Sequence, residues 1–168
     1  MKITMNVKMG LAAGLIICGA WFSFYKSMGP YSWNIDMYRY FITLLSLLLG
    51  IFISVILERR SRGGFIEFKD ALKCGVLYTI VVTIIICLFN SLYYHVIAVD
   101  AIDFFVADQK KQMIIAKLEE ADMNRNLEYV RSYFGSFRLF GTTVFQGIII
   151  SLLAAAILRR KDPGTVAA

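Results

Sequence analysis

The sequence predicts an all-α membrane protein: four transmembrane helices with N- and C-termini cytoplasmic, and an amphipathic helical segment on the outer side between spans three and four. Three observations carry this. First, 58% of the 168 residues are hydrophobic, 18% are charged and the mean hydropathy is +0.64, whereas a soluble domain carries about a quarter charged residues. Second, four runs are apolar enough to cross hydrocarbon, which takes ~20 residues with every backbone polar group satisfied inside the helix. Third, Arg and Lys concentrate in alternate connectors, as expected where they hold those connectors on one side. Residues 1–168 read as a single integral membrane domain.

The first span, about 7–26, rests on the uncharged run Met9 to Tyr25; Lys8 snorkels at its start, and Lys26 and the Gly29-Pro30 turn end it. Lys2 and Lys8 before an apolar stretch also suit a cleaved signal. No small-x-small site follows, however, and Ile17 fills a place where a lipoprotein signal needs a small residue, so the run is read as retained. The second span, about 39–57, lies between Arg39 and Glu58. The third, about 72–97, rests on Cys74 to Val99, longer than a bilayer requires, and is expected to tilt or to begin and end in the headgroups. The fourth, about 138–158, is bracketed by Arg138 and by Arg159-Arg160-Lys161.

With the N-terminus inside, Lys2, Lys8, Arg59, Arg60, Arg62, Lys69, Lys73, Arg159, Arg160 and Lys161 share the cytoplasmic face, and the net charge of +6 falls there. Trp21, Tyr25, Tyr31, Trp33, Tyr38, Tyr40, Tyr93 and Tyr94 then form a belt at the outer boundary. Arg59, Arg60, Arg62, Lys69, Lys73, Arg159, Arg160 and Lys161 are the expected lipid-headgroup contacts, each basic group adding about 1 kcal/mol of attraction to an anionic leaflet. After Gly63-Gly64, Phe65, Phe68 and Leu72 fall on one helical face, as in an interfacial helix entering span three.

The outer segment, about 100–136, reads as two amphipathic helices. Asp100 is placed to cap the first, whose apolar positions are Ile102, Phe105, Val106, Met113 and Leu118, interrupted at Gln109. The pattern breaks around "DMNRN", and Met123, Leu127, Val130 and Phe134 trace the second. The segment is charge-balanced and has no basic stripe, so nucleic acid is not an expected partner.

Small residues recur four apart in every span: Gly10, Gly14, Cys18; Ser46, Gly50, Ser54; Gly75, Thr79, Thr83, Cys87, Ser91; Thr143, Gly147, Ser151, Ala155. In lipid, close approach along such stripes supplies much of the attraction between helices, so they are expected to face neighbours within the chain or in a homo-oligomer. Asn90 and Gln146 fall at similar depth on spans three and four, and a hydrogen bond between them would contribute about 0.6 to 2 kcal/mol.

No acid or base lies inside the four runs, which argues against coupled transport. His95 has Ser91 and Asp100 near it in sequence but no candidate oxyanion hole. No phosphate-binding glycine loop, HExxH or paired-cysteine motif occurs, and Cys18, Cys74 and Cys87 read as packing residues. No catalytic, cofactor-binding or metal residue is expected, and no cofactor. The expected function is that of a non-enzymatic accessory or regulatory component whose outer helices or basic inner face engage a partner protein or lipid. The alternative is a small oligomeric channel or carrier for a neutral solute, lined by Asn90, Gln146, Thr83 and His95.

Three segments carry a family resemblance: "GFIEFKDALKCG" opening span three, "YYHVIAVDAIDFF" leaving it, and "FQGIIISLLAAAILRRKDP" closing the chain. In these the sequence resembles DUF4199, a bacterial domain-of-unknown-function family of small four-span inner-membrane proteins. Members often have Ile-Asp-Pro at the exit of span three, where this chain has Val99-Asp100-Ala101. The resemblance implies a multi-pass location in a bacterial inner membrane and the same span count, and supplies no activity or ligand.

Overall fold

The computed structural model describes the backbone of residues 3–29 and 34–160, and side chains for 5–29 and 37–160. Lys2, Tyr31, Trp33 and Lys161 fall outside the described side chains. Among the described residues there are six helices and no strand: α1 (Ile3–Met28), α2 (Asn34–Ser61), α3 (Phe68–Leu92, continued by a π-helical turn Tyr93–Ile97), α4 (Ala101–Ile115), α5 (Glu120–Tyr133) and α6 (Ser136–Leu158). Four stretches, Met5–Met28, Met37–Ser61, Phe68–Ile97 and Ser136–Leu158, are long and apolar enough to cross a membrane, the pattern of a multi-pass membrane protein.

α3 is the central helix. Of its most apolar window 39% is buried within the protein, against 28% in α1 and in α2, and it packs on each of the other three spans. The remaining surface is an apolar coat typified by Leu15, Ile16, Leu88 and Ile157, all about two-thirds exposed and suited to lipid. Burial alone gives such helices little reason to associate in hydrocarbon, and the small-residue stripes supply the contacts instead. A Cβ on Gly10 would come within 2.9 Å of Val81, and one on Gly14 within 2.7 Å of Ile85, so α1 lies directly along α3. A Cβ on Gly75 would reach Ser151 Oγ, and Cβ atoms on Gly50 and Gly147 would collide with Tyr78 and Thr79. The ascending register of α1 on α3 and the descending register of α6 on α3 give an up-down-up-down bundle.

At the end where α1 begins and α6 finishes, the connector after α2 turns on Gly63 (φ 75°) and Gly64 (φ 95°), with Gly64 N–H donating to Arg59 O and Gly63 N–H to Arg60 O. Ile66 and Arg160 then exchange both backbone hydrogen bonds at 3.1 and 2.9 Å, pinning the start of α3 to the end of α6. The expected interfacial helix is thus revised. Phe65 lies outside α3 and Ile66 is held in the bridge, so the helix begins at Phe68.

The opposite end carries α4 and α5 as a hairpin. Asp100 makes no side-chain cap; its carbonyl simply accepts from Phe104 N–H. The break between the two helices falls at Lys117 rather than at "DMNRN", which lies inside α5. Lys117 takes a left-handed conformation (φ 54°), letting Leu118 N–H donate to Met113 O and Lys117 N–H to Ile114 O. That turn swings Leu118 back over Met113.

Candidate functional site

The hairpin end holds an unexpected polar site. Arg39, expected at a helix boundary, sits inside α2 and is only 8% exposed. Its guanidinium lies 4.3 Å from the centroid of the Trp21 ring, itself 1% exposed, and Nη1 donates to Tyr94 Oη at 3.1 Å while Nη2 donates to Asn90 Oδ1. A planar fork with two donor edges suits this arrangement as an ammonium would not. Arg39 brackets the second apolar run, and its fork faces the bundle, where aromatic rings and the Asn90 amide replace part of its water.

The π turn makes the arrangement possible. Ala98 N–H donates to Tyr93 O at 2.8 Å, an i to i+5 bond that admits one extra residue and brings two consecutive tyrosines inward. Tyr93 stacks on Tyr25 with ring centroids 3.8 Å apart, and Tyr94 meets both Arg39 and the edge of Phe134. Phe134 stacks in turn on Phe105 at 5.0 Å, so an aromatic series joins α1, the π turn that continues α3, the residue just after α5, and α4.

Asn90 is the hub between helices. Besides accepting from Arg39, its Nδ2 donates to Phe134 O at 3.1 Å and to Ser136 Oγ at 3.3 Å. Ser136 Oγ also lies 3.0 Å from Ser91 Oγ, tying the start of α6 to α3. The expected Asn90–Gln146 bond is therefore replaced: Asn90 spends its amide on Arg39 and the α6 junction, and no hydrogen bond joins it to Gln146 among the described residues. The two amides do share one cavity of about 240 Å³, whose walls also include Trp21, Arg39, Thr143 and Arg138.

A second cavity of about 680 Å³ adjoins the first, the two sharing Tyr40, Tyr133 and Phe134 as lining residues. It opens between the start of α2 and the hairpin, with Met37, Met113, Leu118 and Val130 as apolar wall and Gln109 and Asn126 as polar positions. Of the four residues expected to line a solute path, Asn90 and Gln146 line the smaller cavity. Thr83 is instead buried and donates to Thr79 O, and His95 is exposed without a hydrogen bond to Ser91 or Asp100 among the described residues.

The expected headgroup contacts gather at the other end. Arg60, Lys69, Lys73, Arg159 and Arg160 are exposed there, the last two carried to the connector by the Ile66–Arg160 bridge, and Arg59 is half-buried. Arg62 is the exception: Nε donates to Glu58 Oε1 at 2.9 Å and Nη1 to Asp70 Oδ2, and these partners, Glu58 first, hold its pKa above the ordinary arginine value. Arg62 thus braces the connector. Lys161 lies outside the described residues.

A family model described as "Protein of unknown function (DUF4199)" matches residues 8–160. No curated protein and no solved structure matches the chain.

Proposed function

The chain belongs to the DUF4199 family, whose function is unknown, and from that premise we propose a non-enzymatic multi-pass membrane protein that binds an amphiphilic ligand at its hairpin end. The observation that supports the reading is the adjoining pair of cavities: a mostly apolar groove of about 680 Å³ and a smaller polar chamber sharing three of its residues. Sites that hold amphiphiles combine an extensive apolar lining with a few placed polar groups in this way. The protein acts as an accessory or regulatory component of a bacterial inner membrane, with the arginine-rich end cytoplasmic and the hairpin outside, an orientation supported by the excess of Arg and Lys at that end.

Filling the groove tests the reading. Val130→Trp puts an indole into its wall and is expected to lower the affinity of the purified protein for dioctanoylglycerol about tenfold or more, as followed by native mass spectrometry from maltoside micelles. Unchanged occupancy in a folded variant would refute it. Orientation is checked separately. A membrane-impermeant maleimide applied to intact cells should label Asn124→Cys and spare Lys69→Cys; the reverse pattern would invert the topology.

A further inference from the structure

Resting on that reading, we infer that the smaller chamber is an anion site, and that the amphiphile it selects carries a phosphate headgroup. Three features point there. The first is a supply of unused donors. Arg138 donates through Nη2 to Tyr129 Oη at 2.6 Å, yet its Nη1 is buried and has no hydrogen-bond partner among the described residues. The indole N–H of Trp21 is likewise buried without an acceptor. Buried donors are costly to leave unmet and are met in nearly all proteins by some partner, so two beside one chamber mark a place where an acceptor belongs.

The second feature is sign. Among its described lining residues the chamber has the guanidinium of Arg138, and no carboxylate. Thr142, Thr143 and Gln146 add hydroxyl and amide groups from one side of α6. A fully ionised phosphate has several acceptor oxygens and no donor, and a guanidinium fork matches it in geometry and charge.

The third feature is how Arg138 is held. An arginine that merely anchors a helix end extends its head to water. Arg138 instead stacks at 4.5 Å on the Tyr129 ring and 4.7 Å on the Tyr133 ring, both from α5, and keeps one nitrogen buried. The stacking orients the fork before any ligand arrives, which lowers the cost of binding. Tyr133 lines both cavities, so the phosphate end and the acyl end of one molecule occupy adjacent spaces.

The experiment compares dioctanoyl phosphatidic acid, dioctanoylglycerol and inorganic phosphate on the full chain in maltoside micelles. Trp21 fluorescence is the readout, with Trp33→Phe leaving it the sole indole. The phosphate lipid is expected to bind about tenfold or more tightly than the glycerol lipid with the same chains, the worth of one charge-assisted hydrogen bond. Arg138→Gln should erase that preference, and Arg138→Lys should keep part of it. Gln146→Glu, which adds a carboxylate to the chamber while leaving both arginines, should erase it too, and serves if Arg138→Gln does not fold. Equal binding of the two lipids would overturn the anion site and leave the groove reading intact. Phosphate alone binding, with the same sensitivity to Arg138→Gln, would uphold the anion site for a free ligand and reject the groove reading. Binding of none of the three would overturn both.

Discussion

Gly147→Leu is expected to destabilise the protein by about 3 kcal/mol or more, the upper end of what overpacking costs. The Cβ of any residue at 147 falls on the side chain of Thr79, which is 1% exposed and tethered by its hydroxyl to Gly75 O at 2.9 Å. Thr79 cannot rotate away without giving up that bond, and Ser151, bonded to Gly147 O, closes the adjacent turn. The helices must therefore separate, losing the close approach that supplies much of their attraction in lipid. Gly141 in the same helix has nothing within 4 Å of an added Cβ, so Gly141→Leu is the matched control. Titration of both variants with SDS in mixed micelles should lower the midpoint for 147 and leave 141 near the parent. Equal midpoints would mean that α3 and α6 do not meet along this stripe.

Arg39→Met should cost about 2–4 kcal/mol, combining two charge-assisted hydrogen bonds with a desolvated cation–π contact. The loss is expected because the change is one-sided: Asn90 Oδ1 stays buried in place of water and loses its donor. Replacing both partners removes that mismatch, so Arg39→Met with Asn90→Leu should be less destabilised than the sum of the single changes. Arg39→Lys keeps the charge but offers a point donor in place of a fork, and should recover only part of the loss. Strict additivity of the two single changes in mixed-micelle unfolding would show that Arg39 and Asn90 do not interact.

Much of the bundle was legible from the chain alone, because a run of apolar residues between charges has one stable solution in hydrocarbon. The stripes were legible too: Gly10, Gly14, Gly50, Gly75 and Gly147 each face a neighbouring helix closely. Helix ends were less so. α2 begins at Asn34, several residues before its apolar run, because hydrogen bonding continues wherever side chains permit it, whatever their polarity.

The site was harder to read. A charge at the edge of an apolar run looks the same in sequence whether it points to water or, as Arg39 does, to the core. A signal was present in the cluster of Trp21, Tyr25, Tyr93 and Tyr94, which serves equally as an interfacial belt or as a cradle for a cation. What separates the two is the π turn, a backbone event that shifts facing by one residue and leaves no mark in hydropathy. The turn at Lys117 is hidden for a related reason: the left-handed position that ends α4 is filled by lysine, where glycine or asparagine would announce it.

The small bridge between Ile66 and Arg160 has a mechanical consequence. With the Ser91–Ser136–Asn90 knot at the far end and interlocked glycines between, it makes α3 and α6 a strut clamped at both ends. The smaller chamber backs onto this strut through Asn90, Thr143 and Gln146, so a ligand of the kind proposed would find that side fixed at both ends.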